Sequence, residues 1–287
     1  MVRAGPLDLR HQDSERVLGV YLVDTDDGLA LFDCGPSTCA PALRERLGEE
    51  GLELADVRHL LLSHIHLDHA GAAGTLVREH PGLQVHVSEV GAPHLVDPSR
   101  LEASARRLYG DTFDTLWGEL AAVPAENVHV AEGRVLGLEC FPAPGHASHH
   151  VCYLDGDGTL YAGDAAGVRI SPDRVVWPVS PPPDVDVDAW ERTLDEIESR
   201  GPGRLALIHF GLFEDVAFHL AELRRALRAW AGLVAGGAGE EEFVEEARRT
   251  VGEAPYYERA APLWQSYAGL RRWADKRSES AARYAAT

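Results

Sequence analysis

Ser63-His64-Ile65-His66-Leu67-Asp68-His69 places four metal-competent side chains within six residues, directly after the apolar run Leu60-Leu61-Leu62. Such a run, bounded by polar residues, reads as the end of a buried strand. If the piece stays extended, alternation puts His64 and His66 on one side. Asp68 and His69 then fall at the turn into the next helix and can face a second position. Imidazole nitrogen and carboxylate oxygen suit zinc, iron or manganese, and the absence of a local thiolate argues against a structural zinc finger. Mixed ligands of this kind point to catalysis.

Three further strand ends deliver the same residue types. His146 in Pro144-Gly145-His146 follows an apolar run at 135–141, Asp164 in Gly163-Asp164 follows 160–162, and His209 follows 205–208. The glycines before His146 and Asp164 permit backbone geometry that swings a side chain towards a metal. Four strands thus bring candidate ligands to one edge.

Around these points the chain reads as alternating strands and helices. Apolar runs at 17–23 and 29–32 flank Asp24-Thr25-Asp26-Asp27-Gly28 and predict a hairpin. Helical periodicity follows at 40–50, a helix around 76–78, and further strands at 84–87, 151–154 and 159–162. Residues 97–123 and 187–199 read as helical, the second behind a stiff Pro181-Pro182-Pro183 segment. Beyond Phe213 the pattern is helical. Leu220, Leu223, Leu227, Trp230 and Val234 share one helix face, a glycine-rich break covers 236–239, and helices are expected at 240–250 and 264–276 with turns at Pro255 and Pro262. The expected organisation is a catalytic domain over 1–213 and a helical extension over 214–287.

Composition narrows the chemistry. The chain has 287 residues, 45% of them hydrophobic, and a net charge of −19. That charge disfavours nucleic acid as a partner, because phosphate contacts rely on Lys and Arg. Lys276 is the only lysine, which removes phosphate-loop and Schiff-base chemistry from the catalytic fold. Cys34, Cys39, Cys140 and Cys152 form no C-x-x-C pair and read as buried small residues. No stretch approaches the roughly 18 apolar residues of a membrane span, and residues 1–10 lack a leader's apolar core, so the expected setting is cytoplasmic, without a membrane partner.

With these residues in place, the sequence resembles the metallo-β-lactamase superfamily. Its H-x-H-x-D-H signature and later His, Asp and His are matched by His64, His66, Asp68, His69, His146, Asp164 and His209. The resemblance covers roughly the first 210 residues. It implies an α/β fold, a four-layered αββα sandwich followed here by the helical extension. It also implies two divalent metal ions, zinc first, with iron or manganese as alternatives. His64, His66 and His146 would hold one ion, Asp68, His69 and His209 the other, with Asp164 bridging. Leu31-Phe32-Asp33-Cys34-Gly35 is similar to the family's Asp-x-Gly strand end, so Asp33 would orient a ligand imidazole. Retention of both His69 and Asp164 resembles the glyoxalase II and lactonase branch. The nuclease branch sits badly with the acidic charge.

The remaining histidines need no special role: His59, His86, His94, His129 and His219 read as core residues. His149 is a candidate for the pocket. The segment 165–183, with Arg169 and Trp177, is expected to form a pocket wall, with Trp117 and Tyr109 as further candidates. Arg224-Arg225, Arg248-Arg249 and Arg271-Arg272 read as partners of neighbouring acids. The helix face over 220–234 could form a homodimer contact.

The expected activity is hydrolysis of a small-molecule thioester or lactone by a metal-bridging hydroxide, with Asp68 passing a proton. Two rivals stand beside it. One is a mononuclear iron persulfide dioxygenase using His64, His146 and Asp164; the other is a non-catalytic metal-binding interaction protein.

Overall fold

The first sheet begins with β1 (Leu7–Asp8), β2 (Gly19–Thr25) and β3 (Gly28–Phe32), and continues through β4 (Val57–Leu61), β5 (Gln84–Val87) and β6 (Val128–Val130) in that order. The second contains β7 (Gly133–Val135), β8 (Leu138–Pro142), β9 (Val151–Leu154), β10 (Thr159–Tyr161), β11 (Arg204–Leu207) and β12 (Gly211–Phe213), arranged β12-β11-β10-β9-β8-β7. The computed structural model describes residues 5–251 and 256–285. The turn expected at Pro255, and the outer limits of both expected domains, therefore lie outside the described residues.

Eleven helices appear among the described residues: α1 (Ala40–Glu49), α2 (Leu67–Ala70), α3 (Ala73–Glu79), α4 (Ala92–Val96), α5 (Ser99–Tyr109), α6 (Phe113–Leu116), α7 (Val187–Arg200), α8 (Val216–Ala235), α9 (Glu240–Val251), α10 (Tyr256–Ala260) and α11 (Leu263–Ala285). Their spacing explains them. In α1 the buried residues are Ala40, Leu43 and Leu47; in α7, the buried Trp190, Leu194 and Ile197 form one stripe. Asp186 caps α7 by accepting from Ala189 N–H, and Gly201 ends it in the left-handed conformation.

The two sheets face each other in the middle of an αββα sandwich. Phe32 of β3 meets Tyr153 of β9 and Tyr161 of β10 with ring centroids 6.0 and 5.3 Å apart. The Tyr21 hydroxyl crosses from β2 to donate to Leu207 O at 2.8 Å. The helices after Phe213 join the same apolar core: Leu220, Leu223, Leu227, Phe243, Tyr257 and Leu270 are all fully buried in it. No helix among the described residues is long and apolar enough to cross a membrane.

Strand direction positions the site. β3, β4 and β5 run parallel. In the second sheet β10 and β11 are parallel, and β8 shares their direction because each is antiparallel to β9. Within each sheet, these strands therefore end on one side. Asp33 follows β3, the histidine-rich stretch follows β4, His146 follows β8, Asp164 follows β10 and His209 follows β11.

Two expected elements differ. The run at 135–141 is two strands: β7 and β8 pair across Leu136-Gly137, whose φ angles of 51° and 91° make a tight hairpin. The φ of 91° at Gly137 would strain any other side chain, so glycine suits this turn. The helical expectation over 97–123 holds only as far as Leu116, because Gly118 adopts a φ of 70° and the chain continues irregularly to Pro124.

Candidate metal centre

Three imidazole nitrogens converge at the first cluster. His64 Nε2 lies 2.9 Å from His66 Nδ1 and 3.2 Å from His146 Nε2, and His66 Nδ1 lies 2.9 Å from His146 Nε2. The outer nitrogens show which atoms carry hydrogen. His146 Nδ1–H donates to Val179 O at 2.6 Å, leaving a lone pair on Nε2. Ser63 Oγ uses its single hydrogen on Asp33 Oδ2 at 2.8 Å, so it accepts from His64 Nδ1–H at 2.9 Å, and His64 Nε2 also presents a lone pair. Two lone pairs at this distance cannot hydrogen-bond to each other; a cation between them resolves the contact.

The second cluster contains Asp68, His69, Asp164 and His209. His69 Nε2 lies 3.3 Å from Asp164 Oδ2 and 3.7 Å from Asp68 Oδ2, while His209 Nε2 lies 3.4 Å from Asp68 Oδ2. Asp164 Oδ2 is also 3.4 Å from His146 Nε2, so this carboxylate stands between the two clusters. His69 Nε2, His209 Nε2 and Asp164 Oδ1 are buried without a hydrogen-bond partner. Buried polar atoms are normally satisfied, and these three face one another.

Donor type and spacing fit metal ions. Tetrahedral zinc with bonds of about 2.0–2.1 Å needs ligand atoms about 3.3 Å apart. The observed separations of 2.9–3.2 Å in the first cluster come close to that figure.

Asp33 couples the two clusters. It lies fully buried, with a φ of 58°, and accepts from Ser63 N–H, Ser63 Oγ–H and His69 Nδ1–H, each at 2.8 Å. Through Ser63 it orients His64, and directly it orients His69. His209 is oriented separately, its Nδ1–H donating to Val17 O at 2.6 Å. His150 stacks on His64 and accepts the Asp164 N–H at 3.1 Å.

Electrostatics separate the clusters. Burial, then repulsion from neighbouring imidazoles, holds His64 and His66 well below the ordinary histidine range; burial also lowers His146, with Asp164 opposing. For His69, burial works downward, but Asp164, Asp68 and Asp33 outweigh it and raise the ring well above its usual value. His209 is raised by Asp164 and Asp68 against the same effect of burial. Burial pushes Asp68 and Asp164 upward, yet the facing imidazoles hold both low and ionised.

A cavity of about 630 Å³ opens onto these residues, and His66, Asp68, Asp164 and His209 contribute to its lining. His149 lines it too, as do Tyr109 and Trp117. Arg169 and Trp177 belong elsewhere, which corrects their assignment to the pocket wall. Arg169 makes a two-pronged ion pair with Asp215, and Trp177 packs between Trp230 and Tyr257 under the C-terminal helices. Of the segment 165–183, the cavity takes Val179 and Pro181-Pro182-Pro183.

Three parts of the lining escaped the sequence reading. His94, read as a core residue, borders the cavity; so do His11 and Gln12 from the N-terminal loop, and Glu258, Arg259 and Gln265 from the C-terminal helices. Nothing in their spacing marks them, because tertiary contact brings them there. The arginine pairs do find acidic neighbours: Arg224 meets Glu191, Arg225 meets Glu222, Arg248 meets Glu258, Arg249 meets Glu245, and Arg271 meets Asp275. Arg272 donates instead to Pro183 O.

Comparison with known proteins agrees with the fold. Residues 20–209 match the pattern of the metallo-beta-lactamase superfamily. The chain belongs to that superfamily, a class of mostly metal-dependent hydrolases. A probable metallo-hydrolase of Bacillus subtilis is 29% identical over 167 residues, covering 50% of this chain and 51% of that protein. A hydroxyacylglutathione hydrolase of Xanthomonas campestris is 27% identical over 146 residues, covering 50% of this chain and 45% of its own. The chain thus spans about half the length of these curated relatives. An archaeal metallo-beta-lactamase superfamily protein from Sulfolobus tokodaii superposes with a TM-score of 0.62 over 94% of this chain and 96% of that one, at 21% identity. That likeness is one of fold.

Proposed function

We propose that the protein is a dinuclear metal-dependent hydrolase acting on the acyl carbonyl of a small thioester or lactone. The observation that carries this reading is the Asp164 carboxylate between two donor clusters, with Oδ2 3.3 Å from His69 Nε2 and 3.4 Å from His146 Nε2. His64, His66 and His146 would hold one divalent ion, Asp68, His69 and His209 the other, and Asp164 both. Zinc suits this nitrogen and oxygen set best, with iron and manganese as alternatives. When bound, such ions supply Lewis acidity, lowering the pKa of water towards neutrality and polarising a carbonyl.

The chain's own residues do the rest. Asp33 and Ser63 fix the imidazoles so that their lone pairs converge. Asp68 is a quarter exposed on the cavity surface whereas Asp164 is buried, so of the two carboxylates it is the one placed to pass a proton between attacking water and the leaving thiol or alcohol. Val179, Pro181 and Leu67 add apolar lining to the cavity beside these donors. The similarity to a hydroxyacylglutathione hydrolase supports a thioester.

Elemental analysis of purified protein, combined with thioester, lactone and persulfide substrates, tests the reading. About two ions per chain with thioester or lactone turnover is the expected result. A single iron per chain with oxygen consumption on a persulfide would overturn it in favour of a dioxygenase.

A further inference from the structure

The cavity has a second set of chemistry-bearing side chains that the hydrolytic reading leaves unused. His11 stacks on Trp117 with centroids 5.4 Å apart and planes 15° apart, and Tyr109 meets Trp117 edge-on at 5.1 Å. All three rings line the cavity that opens onto the clusters. They come from separate elements: the N-terminal loop, the end of α6 and the end of α5. We propose that these rings form an acyl-recognition wall that selects a planar aromatic acyl group bearing a polar substituent. The proposal rests on the hydrolase reading for the scissile bond and adds the class of acyl group.

Two polar atoms on the wall lack partners. His11 Nδ1 lies 3.5 Å from Cys39 Sγ, and its Nε2 makes no hydrogen bond among the described residues. Trp117 Nε1–H is buried and has no acceptor among them either. A buried indole N–H normally finds a partner, but this one is enclosed, so the polar group of a ligand in the cavity meets His11 instead. His11 is buried, and that burial holds it below its ordinary value against the pull of Asp68; a neutral ring can donate or accept at Nε2 without carrying charge.

The backbone supporting His11 is unusual. Arg10, Gln12, Asp13 and Arg16 all have positive φ, between 46° and 59°. Such strain persists only where surrounding structure holds it, and it concentrates at functional sites. Here Asp8 accepts from both Arg10 N–H and Arg16 N–H, Gln12 Nε2 donates to Thr115 O beside Trp117, and Arg259 reaches across to Ser14. The loop is also tied to the metal centre, since Val17 O accepts from His209 Nδ1–H. An aryl group has a ring quadrupole to set against the aromatic rings of this wall, an interaction that an alkyl chain of equal area lacks.

The test uses metal-loaded, full-length protein and two measurements. Phenylacetyl, 4-hydroxyphenylacetyl and hexanoyl thioesters of N-acetylcysteamine are compared by kcat/KM. The free acids are compared by tryptophan fluorescence and calorimetry, which need no turnover and so separate this proposal from the hydrolase reading. The aromatic compounds should be favoured over hexanoyl by about tenfold in both measurements. Trp117→Leu should collapse that ratio while Trp117→Phe preserves it, which distinguishes recognition from a folding defect. The 4-hydroxyphenylacetyl compound should exceed phenylacetyl by about fivefold, and His11→Phe should remove that difference. Equal binding of hexanoate and the aryl acids, or equal weakening of both by Trp117→Leu, overturns the proposal.

Discussion

Asp33→Asn is the most informative single change, because it keeps shape and volume while altering one buried hub. The wild-type carboxylate accepts three hydrogen bonds, all at 2.8 Å. An amide oxygen can replace Oδ2 towards Ser63 Oγ and His69 Nδ1, but its NH₂ group then faces Ser63 N–H, donor against donor. Losing one buried bond costs about 1–3 kcal/mol, and converting two charge-assisted bonds to neutral ones costs about 1 kcal/mol each. The metal-free variant should therefore be less stable by about 3–5 kcal/mol, measured by urea denaturation at constant pH. Since the hub orients His64 in one cluster and His69 in the other, affinity should fall about 10- to 100-fold at both sites. Competition with a fluorescent chelator measures this. Wild-type affinity at either cluster in the Asn variant would refute the coupling, and wild-type stability would refute the hydrogen-bond argument.

Other outcomes follow from the same geometry. In the metal-free protein His69 and His209 titrate above the ordinary histidine value of 6.5, whereas His64, His66 and His146 titrate below it. The stabilisation from protonated His69 and His209 is complete below that ordinary value and is lost as pH rises through their raised values. Metal uptake at neutral pH should thus release protons from the second cluster and not from the first, with second-site affinity rising with pH; calorimetry in buffers of different ionisation enthalpy detects this. His209→Ala should lower the metal content by about one ion per chain, read by elemental analysis, since it deletes a ligand of one cluster only. Chelation should lower the melting temperature, because an ion held at a hundred times its Kd stabilises the fold by about 2.7 kcal/mol, read by thermal denaturation. Phe32→Ala, which removes a fully buried ring touching Tyr153 and Tyr161, should cost about 3–5 kcal/mol in denaturant titration.

Much of the centre was readable because its chemistry is local. His64, His66, Asp68 and His69 stand within six residues, and His146, Asp164 and His209 each follow an apolar run closely enough for the strand to be recognised. The hairpin at Leu136-Gly137 was missed because apolar residues continue on both sides of the turn and hide it. His94 was misread for another reason: one imidazole on a short helix carries no periodic signal, and only the cavity shows what it faces.

The sequence alone determined the superfamily, the alternation of strands and helices, and the residue types available for metal, since these depend on periodicity and short spacing. The tertiary structure decided how those residues combine. Asp33 reaches both clusters only because β3 and β4 are parallel neighbours, with Phe32 in register with Leu61. Arg169 and Trp177 follow Asp164 closely in the chain yet turn away from the cavity, drawn into an ion pair with Asp215 and the apolar face of α8. The wall combines Tyr109 and Trp117, which the sequence offered as candidates, with His11 and Arg259, which it did not and which stand 248 positions apart in the sequence. Ligand motifs are short because coordination chemistry is short-range. A pocket wall encodes no such spacing, because it is formed wherever folding brings remote surfaces together.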